Sequence, residues 1–519
     1  MTLKPLVCLP LLLAALTAQA APDAAALYTQ HCASCHGGDR LGGMGPALLP
    51  ENLGRLRPGE AERVIADGRA ATQMPGFRAT LSDDEIKALR ELVYTPLPQP
   101  PVWEMAQIKA SHVIHNRVEQ LPAKPVFEAD PLNLFIVVEL GDHHATLLDG
   151  DRFTPIHRFA TRFALHGGPK YSPDGRFVYF ASRDGWISKF DIYNLKYVAE
   201  IRAGVNTRNL AVSADGRYVL VGNYLPHSVV VLDAHDLAPL QVIAAKDHAG
   251  NSSRVSAVYT APPRHSFVVA LKDVPELWEI PYSDKALALP IYTGMMHDYR
   301  PDSGEPQLID TSPFPVRRIA LRDVLDDFFF DDDYDHVVGA ARTGGGQVVN
   351  LVVGRTIATI DLPGMPHLGS GITFEHQGKR VMATPNLKES AITVIDTGKW
   401  TALKRIETGG PGFFMRSHDN TPYLWTDTFL GARKDELHVI DKRSLAIVKT
   451  LKPAPGKTAA HVEFTRDGSH ALVSIWENDG ALVVYDARTL EEVKRIPMNK
   501  PSGKYNVFNK INYASGTSH

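Results

Sequence analysis

Most of the chain shows short runs of alternating apolar and polar residues, separated by turns rich in Asp and Gly. The clearest copy opens with the turn Ser172–Arg176 (SPDGR) and continues FVYFASRDGWISKFDIYNLK. A second copy opens at Ser213 (SADGR) and a third at Thr465 (TRDGS). Strict alternation indicates half-buried strands, and Asp-Gly turns indicate sharp chain reversals. Weaker copies start near Asn133, Pro263, Tyr334, Gln377 and Thr421, which brings the total to eight.

A repeat of about 40–45 residues with paired turns is typical of propeller blades, each a four-stranded sheet. We therefore predict an all-β, eight-bladed propeller over residues 130–519 rather than a β-sandwich or a solenoid. A closed ring of blades leaves few free sheet edges. The copy that begins near Pro263 is too long for one blade, so residues 286–320 are expected to include an insertion.

The region before the repeats has a helical pattern. Residues 24–31 are expected to form a short helix. Ser82-Asp83-Asp84-Glu85 is a capping box, in which the Ser hydroxyl and the Glu carboxylate each bond the other's backbone amide. The apolar face of the helix that follows is formed by Ile86, Leu89, Leu92 and Val93. The pattern predicts a small all-α domain over residues 21–95. Residues 96–129 are expected to form a connector that opens with the stiff Pro-rich segment 96–101 and separates the two domains.

Lys4 precedes an apolar run, Leu6–Leu16, and Ala18-Gln19-Ala20 has the small-x-small form of a cleavage site. These features predict an export signal over residues 1–20, which would carry Cys8 away with it. No later stretch approaches the roughly 20 apolar residues of a membrane helix, so no membrane span is expected. The net charge of −3, without a long basic run, argues against nucleic acid as a partner.

Cys32-Ala33-Ser34-Cys35-His36 has the spacing of a c-type heme attachment site. One turn of helix would place both sulfurs at the vinyl edges of the ring and His36 beneath the iron. A redox CxxC or half of a zinc site is the alternative, but the chain has no second CxxC. Without Cys8 the chain has no cysteine to spare for a disulfide. A heme that is attached after export implies a periplasmic protein.

A heme of this kind needs a sixth iron ligand downstream of His36. Met74, in the loop before the capped helix, is the favoured candidate. Met44 is the alternative, although it lies only 8 residues after His36. Either methionine is also compatible with a core position.

A heme c domain, a Pro-rich connector and an eight-bladed propeller together resemble the cytochrome cd1 family, whose propeller binds heme d1. Local matches are Arg162–His166 (RFALH), Gly364–His367 (GMPH) and Lys500–Asn506 (KPSGKYN). The resemblance implies that His166 is the proximal iron ligand of heme d1. It implies that His367 lies on the distal face as a ligand or proton handler, and that residues 500–506 close the ring.

One departure separates the chain from the nitrite reductases of this family. Those enzymes carry a second distal histidine where this chain reads Leu325–Phe330 (LDDFFF). Nitrite reduction consumes two protons, and paired imidazoles suit their delivery. Segments such as DPLNLFIVVELGDHH and ETGGPGFFMRSH resemble instead the branch of the family that matures heme d1. That resemblance implies a periplasmic dehydrogenase that converts dihydro-heme d1 to heme d1 by desaturating one propionate to an acrylate.

The same resemblance suggests roles for individual residues. His461 is the expected base, because a neutral imidazole accepts a proton at working pH, and Tyr505 is expected to orient it. Heme d1 is rich in carboxylates, so guanidinium groups in or beside blade loops are expected to hold it, with one tyrosine hydroxyl. These cofactor-binding candidates are Arg183, Arg208, Arg416 and Tyr224. The alternatives are a surface histidine for His461, a satisfied core histidine for His166 and ordinary surface side chains for the arginines.

Since the sequence shows no flavin or nicotinamide fingerprint, the electrons are expected to leave through heme c. The expected acceptor is a small c-type cytochrome, and the expected recipient of the product is a cytochrome cd1 nitrite reductase. Two other functions are compatible with the same residues: a heme d1 carrier or insertion factor, and a nitrite reductase.

Overall fold

The computed structural model describes residues 21–54, 56–69, 74–283, 312–341 and 344–513. They form a small helical domain, a connector and a ring of eight β-sheets. The predicted signal segment 1–20 lies outside these ranges. Within them, no helix combines the length and the apolar character that crossing a bilayer requires.

The helical domain is built around the capped helix that the sequence predicts. Its helices are α1 (Ala24–His31), α2 (Ala33–His36), α3 (Pro50–Leu53), α4 (Pro58–Asp67) and α5 (Asp83–Tyr94). At the start of α5, the Ser82 hydroxyl accepts from the Glu85 amide at 3.3 Å, and the Glu85 carboxylate accepts from the Ser82 amide at 2.8 Å. Ile86, Leu89 and Val93 are buried against α1 and α4. The predicted first helix and the capping box are therefore confirmed.

The connector does more than separate two domains. It contains helix α6 (Met105–Ala110) and strand β1 (Val113–Ile114), which the sequence pattern did not reveal. β1 pairs antiparallel with the outer strand of the neighbouring blade, so that Val113 faces Glu200. The helical domain also contacts the propeller directly: Asn52 Nδ2 donates to the Val205 carbonyl at 2.8 Å, and Asn206 Nδ2 donates to the Glu51 carbonyl at 2.9 Å.

The eight sheets are antiparallel and four-stranded, apart from the addition of β1 to blade 2, and they confirm the predicted eight-bladed propeller. The strands of blades 1–4 are as follows: blade 1, β2 (Leu134–Glu139), β3 (His144–Asp149), β4 (Thr154–Ala160) and β33 (Pro501–Asn506); blade 2, β5 (Lys170–Tyr171), β6 (Phe177–Ala181), β7 (Trp186–Asp191) and β8 (Lys196–Arg202); blade 3, β9 (Asn206–Val212), β10 (Tyr218–Leu225), β11 (Ser228–Asp233) and β12 (Pro239–Ala244); blade 4, β13 (Val255–Ala261), β14 (Ser266–Leu271), β15 (Glu276–Pro281) and β16 (Arg317–Ala320).

The strands of blades 5–8 follow in the same order: blade 5, β17 (Asp327–Phe330), β18 (His336–Ala341), β19 (Gly344–Asn350) and β20 (Arg355–Ile360); blade 6, β21 (Ile372–His376), β22 (Lys379–Pro385), β23 (Ala391–Asp396) and β24 (Thr401–Glu407); blade 7, β25 (Met415–Ser417), β26 (Tyr423–Asp427), β27 (Leu437–Asp441) and β28 (Ala446–Leu451); blade 8, β29 (Ala459–Phe464), β30 (His470–Ile475), β31 (Gly480–Asp486) and β32 (Glu492–Met498). A last helix, α7 (Val507–Ile511), follows β33.

The Asp-Gly turns join the first and second strands of their blades, and their geometry explains their sequence. In blade 2, the Ser172 hydroxyl donates to the Asp174 carboxylate at 2.5 Å, while Gly175 adopts φ +73°. Glycine pays no steric cost at that φ. The turn between β9 and β10 repeats this arrangement, since Ser213 donates to Asp215 at 2.6 Å.

The ring is closed by the C-terminal strand, as the resemblance implied. β33 pairs with β2, so that Phe135 faces Asn506 and Ile136 faces Tyr505. The innermost strand of blade 1 thus comes from the far end of the chain, and α7 packs behind it with Val507 fully buried. Such a closure ties the two ends of the propeller together by main-chain hydrogen bonds.

The insertion expected over residues 286–320 lies largely outside the described residues, which stop at 283 and resume at 312. Its last four residues, 317–320, are part of a blade and not of an insertion. They form β16, the outer strand of blade 4, in which Trp278 of β15 faces Arg318.

Candidate functional site

The CxxCH segment has the geometry that covalent heme attachment requires. Cys32 ends α1 and His36 ends α2, so both thiols and the imidazole lie within one turn, and the thiols are not joined in a disulfide. His36 Nδ1 donates to the Pro46 carbonyl at 2.7 Å, which leaves Nε2 as the nitrogen that can bind iron. Burial lowers the pKa of His36, so the imidazole is neutral and ready to ligate. These residues fit heme c.

The two candidate sixth ligands differ in exposure. The Met44 side chain is 71% exposed, whereas Met74 is half-buried. The Met74 carbonyl accepts from the Arg69 amide at 3.1 Å, which holds this loop against the end of α4. A thioether that binds iron is shielded from water. The difference in burial therefore favours Met74 over Met44 as the sixth ligand, in agreement with the sequence-based prediction.

His166 lies on the segment that leads into blade 2. Its backbone amide donates to the Ala181 carbonyl at 2.9 Å, and its Nδ1 donates to the Arg208 carbonyl at 2.5 Å. Nε2 is therefore the nitrogen that can face iron, and it accepts from Arg208 Nη1 at 2.9 Å. If His166 binds iron, the guanidinium of Arg208 must leave Nε2.

His367 is the second imidazole that the sequence places near the pigment. Its Nδ1 donates to the Phe413 carbonyl at 2.7 Å, which leaves Nε2 as an acceptor. Burial lowers the pKa of His367, while the carboxylate of Asp327 opposes that shift. The charge of Arg208 also acts on this ring. His367, Asp327 and Arg208 therefore lie close enough for their charges to interact, although they belong to blades 6, 5 and 3.

His461 is the most unusual side chain of the propeller. It is only 1% exposed, and neither ring nitrogen has a hydrogen-bond partner among the described residues. A β-bulge explains its direction: Ala460 and Val462 both pair with β30, while His461 is skipped and adopts φ +52°. The alternative of a surface histidine is therefore wrong. Burial lowers the pKa of His461 well below 6.5, and the charges of Lys504 and Arg416 lower it further.

Tyr505 lies beside His461, with ring centroids 5.1 Å apart in an edge-to-face arrangement. Burial raises the pKa of Tyr505 to about 12, so its hydroxyl stays protonated. The loop after His166 reaches the same ring, because a Cβ on Gly168 would lie 2.9 Å from Tyr505 Cε1. The structure thus brings His166, Tyr505 and His461 to one region of the propeller.

The four predicted carboxylate-binding residues also line this side of the blades, but not all in loops. Arg183 is in the turn between β6 and β7. Arg208 and Arg416 instead lie within β9 and β25, the first strands of their blades, and Tyr224 lies in β10. The expectation that all the arginines fall in or beside loops is therefore wrong for these two, since first strands also line the centre of the ring. Arg416 is 2% exposed and lies 3.7 Å from the Glu463 carboxylate.

Sequence reasoning missed three lysines in the same region, of which Lys504 is fully buried and Lys170 and Lys510 are half-buried. Lys170, Lys504 and Lys510 all lie close enough to Arg416 to feel its charge. Burial lowers the pKa of Lys170 to about 8 and those of Lys504 and Lys510 well below the usual value. Lys504 donates to the His461 carbonyl and, at 2.8 Å, to the Ser474 hydroxyl. Clustered cationic groups suit a ligand that carries several carboxylates.

The segment that lacks the second distal histidine is also part of this region. Asp326 forms an ion pair with Lys272, and Asp327 accepts from the Tyr259 hydroxyl at 2.8 Å. This segment therefore presents carboxylates to the neighbouring blade 4.

Arg202 links the helical domain to the propeller. It ends β8 and is 5% exposed. Its guanidinium donates to the Leu41 carbonyl, five residues after His36, and at 2.8 Å to the Asp184 carbonyl. It also stacks on Trp103 of the connector, 4.7 Å from the ring centroid. The attachment loop of the helical domain and the turn that carries Arg183 therefore share one buried cation.

Comparison with known proteins agrees with this geometry. The family described as Cytochrome D1 heme domain matches residues 129–510. The chain belongs to this family. A second family, described as Cytochrome C oxidase, cbb3-type, subunit III, matches residues 19–93, which include the CxxCH segment.

Individual relatives follow the same pattern. A Pseudomonas aeruginosa protein named dihydro-heme d1 dehydrogenase is 58% identical over 512 residues, covering 98% of this chain and 99% of its own. A nitrite reductase of Stutzerimonas stutzeri is 24% identical over 96% of this chain and 94% of its own. A solved structure of dihydro-heme d1 dehydrogenase NirN in complex with DHE has a TM-score of 0.87 and 58% identity over 94% of this chain and 99% of its own.

Proposed function

We propose that this protein is a periplasmic dehydrogenase that converts dihydro-heme d1 to heme d1. The observation that carries the proposal is His461, a buried imidazole in the wall of the propeller with no hydrogen-bond partner on either nitrogen. Buried polar groups are normally hydrogen-bonded, and exceptions mark functional positions. The 58% identity to a dihydro-heme d1 dehydrogenase supports the same substrate.

The reaction turns a CH2–CH2 unit of one propionate into CH=CH, so the substrate loses two protons and two electrons. His461 accepts one of the two protons from carbon, because its lowered pKa keeps the imidazole neutral, and the second proton passes to His367 Nε2 or to solvent. Tyr505, in edge contact with that ring, fixes its orientation. The cationic side chains of Lys170, Lys510 and Arg416 balance the carboxylates of the substrate.

His166 and His367, whose Nδ1 atoms are both hydrogen-bonded, would present Nε2 to the iron of the substrate, His166 as a ligand and His367 as a ligand or proton acceptor. Cys32, Cys35, His36 and Met74 would hold heme c, which would supply a one-electron outlet through which the two electrons leave in turn. A small c-type cytochrome is the proposed acceptor, and a cytochrome cd1 nitrite reductase is the proposed recipient of the product.

The test is conversion followed by mass spectrometry. Purified heme c-loaded protein is mixed with dihydro-heme d1 and an oxidised cytochrome c, and the pigment should lose two hydrogens. His461→Ala should slow this loss by about a hundredfold or more, to a residual rate that long incubations still measure, while the pigment still binds. His438→Ala is the matched control, because His438 is also buried but both its nitrogens are hydrogen-bonded, to Thr450 and Gly409.

Other outcomes would assign other functions. A carrier or insertion factor would bind the pigment and return it with unchanged mass. A nitrite reductase would turn over nitrite rapidly once loaded with mature heme d1 and given a donor. Periplasmic export is tested by cell fractionation and by the mass of the secreted chain, which should begin at residue 21.

A further inference from the structure

Asp427 ends β26 in blade 7 and is buried, at 1% exposure. Its carboxylate accepts from the Phe413 amide at 2.7 Å and from the Phe414 amide at 3.3 Å. No cationic side chain forms an ion pair with it among the described residues, although Lys504 lies close enough for the two charges to interact. A buried carboxylate without such a partner is costly, so the backbone groups that it holds must matter to the protein.

The loop that Asp427 holds is the one that orients His367. Phe413 donates its amide to Asp427, and its carbonyl accepts from His367 Nδ1 at 2.7 Å. The two rings, His367 and Phe413, also contact each other, with centroids 4.3 Å apart. Any shift of the Phe413 peptide therefore turns His367, although His367 belongs to the neighbouring blade 6.

The same carboxylate reaches His461 in blade 8. The second oxygen of Asp427, Oδ2, accepts from the His461 amide at 3.3 Å. His461 is the bulged residue with φ +52°, a conformation that persists only when its surroundings hold it. A hydrogen bond to the bulged amide is one such restraint, since it fixes the peptide that aims the imidazole.

We propose that Asp427 is a positioning residue that fixes His367 and His461 relative to each other from the blade that lies between them. Its hydrogen bonds go to backbone amides and not to either histidine side chain. The carboxylate of Asp427, in blade 7, holds two separate segments. One is the loop that orients the imidazole of His367 in blade 6, and the other is the bulge that orients the imidazole of His461 in blade 8. The catalytic part of this inference rests on the proposed function of His461.

The test uses the full heme c-loaded protein and Asp427→Asn, which keeps the shape but turns an amide NH2 toward backbone amides. We expect the conversion rate at saturating dihydro-heme d1 to fall at least tenfold, while the dissociation constant of mature heme d1 changes less than threefold. Asp149→Asn is the matched control, because Asp149 is also buried and accepts the amides of Asp151 and Arg152 at 2.8 and 3.0 Å. It should change neither quantity.

Double variants separate positioning from simple support of the fold. If Asp427 acts through His461, Asp427→Asn causes no further loss of rate in the His461→Ala background. A further tenfold loss there, an equal weakening of heme d1 binding, or a wild-type rate in the single variant would each overturn the proposal. Should Asp427→Asn fail to fold, Gly412→Ala tests the same loop, because its Cβ would lie 2.7 Å from the Asp427 carbonyl.

Failure of the proposed function can be told from failure of this inference. If the wild-type protein converts no dihydro-heme d1, the proposed function falls, and Asp427 is then judged from the visible spectrum of bound mature heme d1. Asp427→Asn should shift the bands as His367→Ala does and add nothing in the His367→Ala background. Unshifted bands, or additive shifts, would overturn the inference.

Discussion

Replacing His461 by Leu should make the pigment-free protein more stable while removing its activity. Both ring nitrogens of His461 are buried without a partner among the described residues, and leaving a buried polar group unsatisfied costs about 1–3 kcal/mol. Leu has a similar volume and no polar atom. It also tolerates the positive φ of this bulge, since leucines with φ above +50° occur elsewhere in the chain, at positions 195, 237, 445 and 490. We expect the free energy of unfolding of the His461→Leu variant to exceed that of the wild type by about 1–3 kcal/mol.

The assay is thermal unfolding of the heme c-loaded, pigment-free protein. For a propeller of about 380 residues, an unfolding entropy of about 2.1 cal/mol/K per residue converts that gain into a Tm increase of about 1–4 °C. The matched control is His438→Leu. His438 is also buried, but its Nε2 accepts from the Gly409 amide at 2.8 Å. Its replacement would leave that amide without a hydrogen-bond partner and should lower Tm.

The reasoning would be refuted if His461→Leu lowered Tm as much as His438→Leu does. That result would mean that the ring of His461 is satisfied in the pigment-free protein, and that it is not held ready for a ligand. Conversion of dihydro-heme d1 is measured on the same samples, and it should be lost only in the His461 variant.

Three further outcomes are expected. Met74→Ala should change the visible spectrum of heme c to that of a protein lacking its sixth ligand, whereas Met44→Ala should leave it unchanged; the reverse would assign Met44. Lys510→Met should raise the depressed pKa of His461, because a nearby positive charge is removed, so the acid limb of the conversion rate should move to higher pH; an unmoved limb would exclude His461 as the titrating base. Arg202→Met should speed limited proteolysis of the connector several-fold with heme c still attached, and unchanged cleavage would show that this contact does not hold the domains together.

Local patterns in the sequence predicted local structure accurately. The capping box at Ser82 involves residues three apart, so its hydrogen bonds depend on nothing distant. The Asp-Gly turns are equally self-contained, as the bond from Ser213 to Asp215 shows. Three copies of these turns, together with five weaker copies of the strand pattern, were enough to predict eight blades. The helix α6 and strand β1 were missed because each is short and is stabilised by blade 2 rather than by its own sequence pattern.

The candidate site shows a sharper limit of sequence reasoning. His461 could be singled out by resemblance, but its burial depends on a bulge, which exists only once β29 has paired with β30. Lys504 looks like an ordinary surface lysine in the sequence, and only closure of the ring buries it. Asp427 carried no signal at all, because its partners are backbone amides from two other segments of the chain.

The strand that closes the ring also carries Lys504 and Tyr505, two side chains in contact with His461. One strand therefore both closes the propeller and places these two side chains beside His461. A truncated chain that ends before β33 would have an open gap between its first and last blades and would lack both side chains.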